Sequence, residues 1–599
     1  MCGIAGVFSY GTDAPPVLRS ELLRLRDSMA ARGPDGAGDW ISEDGLVGLA
    51  HRRLAIIDLS AAGAQPMQTA RGDTVISFNG EIYNYKELRA ELEQKGETFR
   101  THSDTEVILT LYERDGIKML PCLRGMFTVI IWDKRRRGML LARDPMGIKP
   151  LYYADRDGTL ITASQVKALL AAGVDGALDP AGCVSFFVLG YVAEPFTIRK
   201  SIRELPAGHS LWIDASGIGV PRPFYSVCQS LRDAENATDR QTVKATRDVV
   251  GRALRSSVKA HMVADVPVGL FLSAGLDSTS LASLAKDCTE KPLRTLTVGF
   301  QEYKGTEHDE VPIAEEVARA FGTDHTTLWV EGRHFLEDRD RLLAAMDQPT
   351  IDGMNVYFVS KAARQLGLKV ALCGLGGDEL FGGYPSYSQV PRITRLLRPF
   401  RLLPGFGRAI RAASSGVIGR ITSPKYAGLF EYGTSLENAY LLRRALYMPW
   451  ELPEVLDVDL AREGWRELDL PARLEKTTAT LHGDRTRVAA LEMTWYMRNQ
   501  LLRDADWAGM AHSIEIRTPL VDAQMLGELA PSLAGPVAPS KLTMAYSTPA
   551  GQIGAVVGRR KTGFTVPIRQ WLADSDGQYS DDRGLRGWAK FVFQSHLRS

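Results

Sequence analysis

In the second half of this sequence, from about residue 246, apolar stretches of strand length alternate with stretches of helical periodicity. The stretch "VPVGLFL" (266–272) is followed by a glycine-containing loop and the helix-like "TSLASLAKDC" (279–288). Two further strand-like stretches, "LRTLTVGF" (293–300) and "KVALCGLGG" (369–377), lie next to helical patterns. This alternation predicts a parallel, doubly wound sheet. Because such sheets bind ligands beyond the carboxyl ends of their strands, the loops after these strands are candidate sites.

The first 200 residues have a different pattern. Short β-rich runs are separated by Gly, Asn and Asp turns, with helical patterns near 17–30, 84–95 and 104–114, which predicts an α+β domain. Residues 206–245 are rich in Pro, Ser and Asp and have little periodicity, as in a linker. Since 599 residues exceed what one hydrophobic core organises, we expect domains over 1–205 and 246–599, joined by a linker over 206–245.

Charge and cysteine usage exclude several classes of function. The formal net charge of +1 provides no overall attraction to nucleic acid or membrane. No stretch approaches the ~18 apolar residues that span a bilayer, and Asp13, Arg19 and Glu21 precede any long apolar run. The six cysteines lack CxxC spacing, which argues against a zinc site and a disulfide framework. We therefore expect a cytoplasmic protein with no membrane span, no signal peptide and no nucleic-acid partner.

Cys2 is the first candidate for chemistry. Removal of Met1 would leave its thiol on the residue that carries the free α-amine, and an amine with a pKa near ~8 can act as the base for that thiol. The alternative is a buried cysteine that happens to stand second. The polar motifs "RGPDG" (32–36), "LAHRRLAIID" (49–58), "FNGEIYN" (78–84) and "HSDTEVI" (102–108) favour the first interpretation, because a pocket for a small polar substrate needs such groups.

A second candidate is "FLSAGLDST" (271–279), which joins an apolar strand to a helix. Its turn offers backbone N–H groups to phosphate oxygens, and Ser273 and Ser278 add hydroxyls. Asp277 would hold Mg²⁺, which prefers carboxylates shared with phosphate oxygens. The chain has no GxxxxGK[ST] motif, so release of pyrophosphate is at least as plausible as transfer of the γ-phosphoryl group. The alternative is a simple strand-to-helix turn.

Two further segments leave alternatives open. In "CGLGGDELFGGY" (373–384), Asp378 is either a metal ligand beside a glycine-rich backbone or a helix cap. Residues 385–430 contain no acid. They carry arginines that are often three residues apart, at 392, 395, 398, 401, 408, 411 and 420. These arginines form either a solvated face or an anion-attracting lip beside the synthetic site.

These motifs carry a family resemblance. "MCGIAGVF", "RGPDG", "NGEIYN" and the "SD" before residue 105 resemble the glutaminase domain of class II glutamine amidotransferases, which are N-terminal-nucleophile hydrolases. "SAGLDS", "LTVGF", "GGDELFGGY", "LLRDADWAGMAHSIEIRTPLVD" and "RRKTGFTVPIRQWL" resemble the synthetase domain of glutamine-hydrolysing asparagine synthetases. The resemblance extends from Met1 to about Leu572. It implies layered antiparallel sheets in the first domain and an ATP-pyrophosphatase fold in the second.

For the first domain, the resemblance implies that Cys2 attacks the side-chain amide of glutamine and forms a γ-glutamyl thioester. Arg53 would bind the α-carboxylate of glutamine as a bidentate fork. Asp104 and Glu81 would bind its α-ammonium group. The oxyanion hole would consist of Asn79 and Gly80, at roughly 3 kcal/mol per donor.

For the second domain, the resemblance implies that a substrate carboxylate attacks the α-phosphate of ATP, giving an acyl-adenylate and pyrophosphate. Lys561 would neutralise charge that develops near that phosphate, and Asp277 with Asp378 would hold the magnesium ion. The residues implied to surround ATP are Leu272, Ser273, Gly275, Asp277, Ser278, Val298, Cys373 and Gly374. The family also implies a homodimer and an ammonia channel between the domains.

The sequence departs from the family pattern at two positions. Ala274 replaces a glycine of the usual SGGLDS loop, a minor change if that residue keeps φ below zero. Leu375 stands where asparagine synthetases carry the Glu of SGEGxDE, which is expected to assist the attack of ammonia on the acyl-adenylate. Three hypotheses follow. The chain is an asparagine synthetase in which Glu310 or Glu379 accepts the proton, or the same machinery amidates a uronic acid or a peptide side chain, or the chain is a catalytically silent binding partner.

Overall fold

The computed structural model describes residues 2–237, 243–403, 405–558, 566–575 and 583–598. The strands of the amino-terminal half are β1 (Gly3–Ser9), β2 (Gly36–Ile41), β3 (Val47–Arg53), β4 (Met67–Gln68), β5 (Thr74–Ile82), β6 (Gly125–Asp133), β7 (Gly138–Arg143), β8 (Tyr152–Arg156), β9 (Thr159–Ala163), β10 (Arg203–Glu204), β11 (His209–Asp214), β12 (Gly217–Ile218) and β13 (Arg222–Pro223). The helices there are α1 (Arg19–Ser28), α2 (Tyr85–Gln94), α3 (Asp104–Asp115), α4 (Val166–Ala171), α5 (Pro180–Leu189) and α6 (Val227–Asn236).

These strands form two antiparallel sheets that lie face to face. Within the described residues one sheet has the order β10-β8-β9-β1-β3-β2 and the other β12-β11-β7-β6-β5-β4, with β13 beside β11. Side chains alternate along β1, so Ile4 and Phe8 pack between the sheets, while Ala5 and Val7 pack against α1 and α4. Helices α2 and α3 cover the outer face of the second sheet. The layered α+β fold predicted for this half is confirmed.

The segment predicted as a linker, 206–245, contains regular structure in its described part. β11 pairs antiparallel with β7, with Leu211 opposite Leu141 and Ile213 opposite Met139. Helix α6 buries Val227 and Leu231 in the core shared by the two halves of the chain. A loop-like composition concealed this structure, because the strands in the segment are short and flanked by turns. The boundaries between the domains stay a prediction.

The carboxyl-terminal half contains the strands β14 (Val268–Phe271), β15 (Arg294–Phe300), β16 (Asp324–Val330), β17 (Val370–Leu372) and β18 (Glu515–Arg517). Its helices are α7 (Val243–His261), α8 (Leu276–Ala285), α9 (Val311–Phe321), α10 (Gly332–Ala345), α11 (Met354–Gln365), α12 (Gly377–Phe381), α13 (Ser386–Leu397), α14 (Phe406–Ile421), α15 (Leu429–Tyr432), α16 (Leu436–Arg444), α17 (Val458–Leu468), α18 (Leu470–Thr478), α19 (Asp484–Leu491), α20 (Arg503–Met510), α21 (Ala523–Ala534), α22 (Lys541–Tyr546), α23 (Gly554–Val557), α24 (Ile568–Ser575) and α25 (Arg586–Arg598). A π-helix, Glu492–Leu502, lies between α19 and α20.

These five strands form one parallel sheet with the order β16-β15-β14-β17-β18. One face packs on α7, α8 and α21, and the other packs on α11 and α20. The predicted doubly wound sheet is therefore confirmed. The chain moves outward from β14 in one direction to β15 and β16, and then in the other direction to β17 and β18. The crevice beyond the carboxyl ends of β14 and β17 is the switch point at which ligands of such sheets bind.

No helix within the described ranges is long and apolar enough to cross a membrane.

Candidate active sites

Cys2 lies immediately before β1, where its side chain is buried. Its backbone nitrogen donates a 2.8 Å hydrogen bond to Oδ1 of Asn79 in β5. The Nδ2 group of the same amide is buried and has no hydrogen-bond partner within the described structure. Burial raises the pKa of the Cys2 thiol, so the resting thiol is protonated and its attack requires a base. The amide of Asn79 thus lies against Cys2, the proposed nucleophile, with a donor left over that could bind a developing oxyanion.

A cavity of about 30 Å³ opens beside Cys2. Its lining includes four other residues that the sequence analysis assigned to the glutamine site, namely Arg53, Gly80, Glu81 and Asp104. The guanidinium of Arg53 donates to the backbone carbonyl of Ser60 at 2.8 Å and to that of Asp58. A Cβ on Gly80 would lie 2.0 Å from the carbonyl oxygen of Met126, so only glycine fits at that position.

Asp104 is the first residue of α3, which is capped by Ser103. Its Oδ2 atom accepts a 3.0 Å hydrogen bond from the backbone N–H of Ile82. Burial raises the pKa of the Asp104 carboxyl to about 6. Near neutral pH this side chain is therefore a buried carboxylate at the cavity, suited to an ammonium group.

Glu81 also lines this cavity, but its carboxylate reaches toward the other domain. Oε2 of Glu81 lies 3.6 Å from the guanidinium of Arg517 in β18, and Arg517 also pairs with Glu515 at 2.7 Å. Burial, followed by the negative charge of Glu515, raises the pKa of Glu81 well above its ordinary value. Sequence reasoning missed this ion pair, because the partners are more than 400 residues apart in the chain.

Arg32, in the motif "RGPDG", is a second residue whose contact was missed. Its Nε atom donates to the carbonyl oxygen of Cys2 at 3.0 Å, and its two terminal nitrogens donate to Asp506 in α20 at 2.7 and 3.1 Å. Both side chains are buried, with 2% and 3% of their surface exposed. Lys149 lies 3.9 Å from Asp506. Arg32 and Asp506 each lie in a motif that the sequence showed, but nothing in the sequence indicated their contact, since the two motifs lie in different halves of the chain.

The predicted phosphate loop lies at the switch point, between β14 and α8. Ser278 Oγ lies 3.0 Å from Ser273 Oγ and accepts a hydrogen bond from the backbone N–H of Ser273 at 3.1 Å. Ser273 Oγ accepts from the backbone N–H of Gly275 at 3.2 Å. The loop is therefore held by its own hydroxyls, with the N-terminus of α8 at its end, as an anion site requires. Leu272 and Val298 are buried at the ends of neighbouring strands.

The loop after β17 packs tightly against this phosphate loop. A Cβ on Gly374 would lie 2.9 Å from Cβ of Asp277, and one on Gly377 would lie 2.1 Å from Oδ1 of Asp277. These two glycines let the second loop, which includes Cys373, approach the carboxylate of Asp277.

Lys541, the first residue of α22, lies between the two acids proposed as metal ligands. Its ammonium group pairs with Asp277 and lies 3.2 Å from Oδ1 of Asp378. The charges of Asp277 and Asp378 raise the pKa of Lys541 against the opposing effect of burial. Sequence reasoning did not find Lys541. Lys561, which it proposed instead, lies outside the described residues.

The donor set of Asp277 and Asp378 fits Mg²⁺, because two carboxylates close to a phosphate-binding loop are what this cation prefers. The described residues contain no group of three or more His, Cys, Asp or Glu side chains that could hold a metal by themselves. A magnesium ion at this place would therefore depend on phosphate oxygens of the bound nucleotide as well as on these two aspartates.

Leu375 follows Gly374 and is half-buried against an apolar core cluster. The nearest acid along the loop beyond Asp378 is Glu379, whose Oε1 accepts a 2.8 Å hydrogen bond from the hydroxyl of Tyr384. Burial, followed by the charge of Asp378, raises the pKa of Glu379 to about 7. This loop thus has an apolar side chain at the position of the family Glu and a buried carboxyl four residues later.

Comparison with known proteins agrees with this division of the chain. Residues 1–225 match the family described as glutamine amidotransferase domain, and residues 249–534 match the family described as asparagine synthase. Asparagine synthetase [glutamine-hydrolyzing] 1 of Bacillus subtilis is 32% identical over 587 residues, which cover 97% of this chain and 89% of that protein.

Two shorter matches are also informative. Asparagine synthetase B [glutamine-hydrolyzing] of Escherichia coli is 34% identical over 66% of this chain and 67% of that protein. A protein of Gibberella zeae named Amidase chry2 is 30% identical over 65% of this chain and 60% of that protein.

The fold and the two family matches define a glutamine amidotransferase domain joined to an asparagine synthase domain. The chain belongs to the glutamine-hydrolysing asparagine synthetase family, whose members are glutamine-dependent carbon–nitrogen ligases.

Proposed function

We propose that this protein hydrolyses glutamine at Cys2 and uses the ammonia to amidate a carboxylate that ATP has activated, converting aspartate to asparagine. The observation that carries the proposal is the pair of sites in one chain. The Cys2 cavity lies in the half with antiparallel sheets. The two loops that carry Ser273 and Asp378 lie in the half with the parallel sheet. Arg32 connects the two halves, because it binds both Cys2 and Asp506.

In the first half, the α-amine exposed by removal of Met1 takes the proton of the Cys2 thiol. Sγ then attacks the side-chain carbonyl carbon of glutamine. Nδ2 of Asn79 donates to the resulting oxyanion, aided by the backbone of Gly80. The protonated amine returns its proton to the leaving nitrogen as the C–N bond breaks, so neutral ammonia leaves and a thioester remains. Water hydrolyses the thioester to glutamate and restores the thiol.

Arg53 and Asp104 hold the two ends of glutamine in this proposal. The guanidinium pairs with the α-carboxylate, and the Asp104 carboxylate pairs with the α-ammonium group. Glu81 lines the same cavity and would share in the second contact, although its carboxylate also faces Arg517.

In the second half, a bare carboxylate is a poor electrophile and needs activation. Its oxygen attacks the α-phosphorus of ATP, and the bond to pyrophosphate breaks. The backbone of the Ser273–Ser278 loop and the ammonium of Lys541 bind the phosphate oxygens, and Lys561 neutralises charge near the α-phosphate. Magnesium held by Asp277 and Asp378 would supply charge neutralisation on those oxygens. Ammonia then attacks the acyl carbon, AMP leaves, and a base removes the surplus proton.

A second candidate is amidation of a different carboxylate, such as a uronic acid of a surface polysaccharide or a peptide side chain. Leu375 favours it, because an apolar side chain at this position can neither accept a proton nor bind a cation. The similarity to a protein named amidase also fits an acceptor that varies within the family.

Release of pyrophosphate separates the two candidates. The protein is mixed with ATP and Mg²⁺ and tested with aspartate, with glucuronate and galacturonate, and with peptides that carry Asp or Glu. A response to aspartate alone supports asparagine synthesis. If pyrophosphate is released with another carboxylate and not with aspartate, the second candidate is supported. If no carboxylate causes release of pyrophosphate, the activation step is contradicted.

We also expect a homodimer in the cytoplasm, as the family resemblance implies. Light scattering after gel filtration measures the first expectation, and cell fractionation measures the second.

A further inference from the structure

The acid-free segment 385–430 contains two helices joined by a turn, and is here called the hairpin. Helix α13 packs on α16 and α19 and leads through a 3₁₀ turn, Arg398–Leu402, into α14, which packs on the 3₁₀ helix Pro424–Gly428 and on α15. The ring of Phe400 stacks on Phe406 and meets Phe430 edge-on, with centroids 5.4 and 5.1 Å apart. The hairpin is therefore an element with its own small core.

The outer face of α14 is apolar, which is unusual for a surface helix. Ala409, Ala413, Val417 and Ile421 recur every four residues, so they form one row along the helix. Val417 and Ile421 expose 61% and 79% of their surface, and Leu402 in the preceding turn exposes 83%. Surface helices normally carry polar side chains on this face, and a row of exposed apolar side chains marks a candidate interaction site.

The hairpin also carries exposed arginines in the helix and turn that precede α14. Arg408 and Arg411 pair with Glu431 of α15, at 3.8 and 2.7 Å. The arginine side chains at 392, 395, 398 and 401 are exposed, and they form no ion pair with any residue that the structure describes. The chain's net charge of +1 conceals this local excess of positive charge.

The hairpin is attached directly to the synthetase site. The hydroxyl of Tyr387 in α13 donates to the backbone carbonyl of Glu379 in α12, and Ser386 Oγ donates to Glu492 of the π-helix at 2.5 Å. Asp378 belongs to the same short helix as Glu379. The start of α13 is thus fixed to the short helix that carries Asp378, and α14 is joined to it through the turn Arg398–Leu402.

We propose that this hairpin docks the protein on an anionic membrane surface. The apolar row of α14 and Leu402 enter the headgroup region, and the unpaired arginines bind lipid phosphates. A helix with an apolar face and basic flanks is the form that lies in such an interface without crossing it. A second copy of the chain is a poor occupant, because it would bring the same arginines together with no acid in the segment to neutralise them.

The test is co-sedimentation of the full chain with vesicles. Vesicles of phosphatidylcholine with about one third phosphatidylglycerol should bind the protein, with weaker binding at high salt. Vesicles of phosphatidylcholine alone should bind it poorly. Because each arginine near an anionic surface contributes roughly 1 kcal/mol, the triple variant R395Q/R398Q/R401Q should lower binding about a hundredfold. The variant V417S/I421S should lower it about tenfold or more.

Two control variants carry substitutions of the same kind elsewhere, at two arginines and at one valine. R341Q/R462Q removes exposed arginines of α10 and α17, and V220S removes an exposed valine of similar accessibility. Neither should change vesicle binding. As a second measurement, the emission that F406W adds to that of the ten native tryptophans should be quenched by brominated phosphatidylglycerol, and this readout does not depend on any variant losing its binding.

Several outcomes overturn the proposal. The first is failure of the unaltered protein to bind anionic vesicles. The second is binding to neutral vesicles that is as strong as binding to anionic ones. The third is a loss of vesicle binding in the control variants that equals the loss in the hairpin variants. A dimer that V417S/I421S converts to monomers would assign the face to self-association instead. Glutaminase activity and the urea midpoint of each variant should stay unchanged. If a variant fails this check, the quenching of F406W by brominated lipid is the measurement that tests membrane binding.

Discussion

The guanidinium of Arg32 holds Asp506 of the parallel half at 2.7 Å and the carbonyl oxygen of Cys2 at 3.0 Å. One side chain thus joins the nucleophile to α20, the helix that leads toward β18 of the parallel sheet. Both side chains are buried, so neither charge is hydrated and each depends on the other for its stabilisation.

We expect Asp506→Asn to lower the free energy of unfolding by about 3 kcal/mol, because it leaves the Arg32 charge buried without its full partner. The same change should lower kcat/KM for glutamine, since Arg32 positions the backbone of Cys2. Urea unfolding and glutamate release measure the two effects. Arg19→Gln, which breaks the exposed pair with Asp39, is the control and should cost less than about 0.5 kcal/mol. If Asp506→Asn lowers the free energy of unfolding no more than Arg19→Gln does, the buried pair does not stabilise the contact between the two halves.

The pH dependence of glutamine hydrolysis should report Asp104, whose pKa burial raises to about 6. Below that pH the carboxyl is neutral in the free enzyme and cannot pair with the α-ammonium group. The kcat/KM for glutamine should therefore fall about tenfold per pH unit below 6. Asp104→Asn should be roughly a hundredfold slower at pH 7. Asp115→Asn, at the exposed end of the same helix, should behave as the parent does. A profile that stays flat to pH 5 would remove Asp104 from the binding of glutamine.

Loss of Asp277 or of Lys541 should stop pyrophosphate release. Asp277→Asn and Lys541→Met both remove charge at the phosphate-binding loop, and we expect each to lower the rate by roughly a thousandfold. Glutamine hydrolysis should stay near the parent rate, because the first site lies in the other half of the chain. Asp287→Asn, an exposed acid in the 3₁₀ turn after α8, is the control. Normal pyrophosphate release in Asp277→Asn would contradict both the metal role and the loop assignment.

Leu375→Glu restores the carboxylate that asparagine synthetases carry at this position. With aspartate and ammonium as substrates, we expect the rate of amidation to rise about tenfold or more, because a base becomes available for the attacking ammonia. Leu375→Gln has nearly the same shape and no base, so it should give no increase. Equal rates for the two variants would mean that the identity of this residue does not limit the reaction.

Local motifs predicted the two folds and the residues around each site. The apolar strand before "SAGLDS" and the glycines before Asp378 were readable because they lie next to the residues that they position. Arg517, Asp506 and Lys541 were not readable in the same way. Each meets a partner more than 160 residues away, and no local spacing encodes such a contact.

The described part of residues 206–245 shows a second limit of sequence reasoning. β11 is six residues long and is followed by turns and by β12 and β13, which have two residues each. Pairing with β7 stabilises this strand, so its conformation depends on tertiary contacts and not on its own propensity. The exposure of the apolar row of α14 could not be predicted for another reason. Whether an apolar row on a helix is buried or exposed depends on which elements pack against that helix.

Product formation by Cys2→Ala with two nitrogen sources tests the central claim most directly. The account predicts that this variant forms no amide from glutamine and keeps the parent rate with ammonium chloride, since only the first site needs the thiol. Cys288→Ala, at an exposed cysteine of the second half, should leave both reactions unchanged. Amide formation from glutamine at the parent rate in Cys2→Ala would contradict the thioester mechanism and the transfer of ammonia between the two sites.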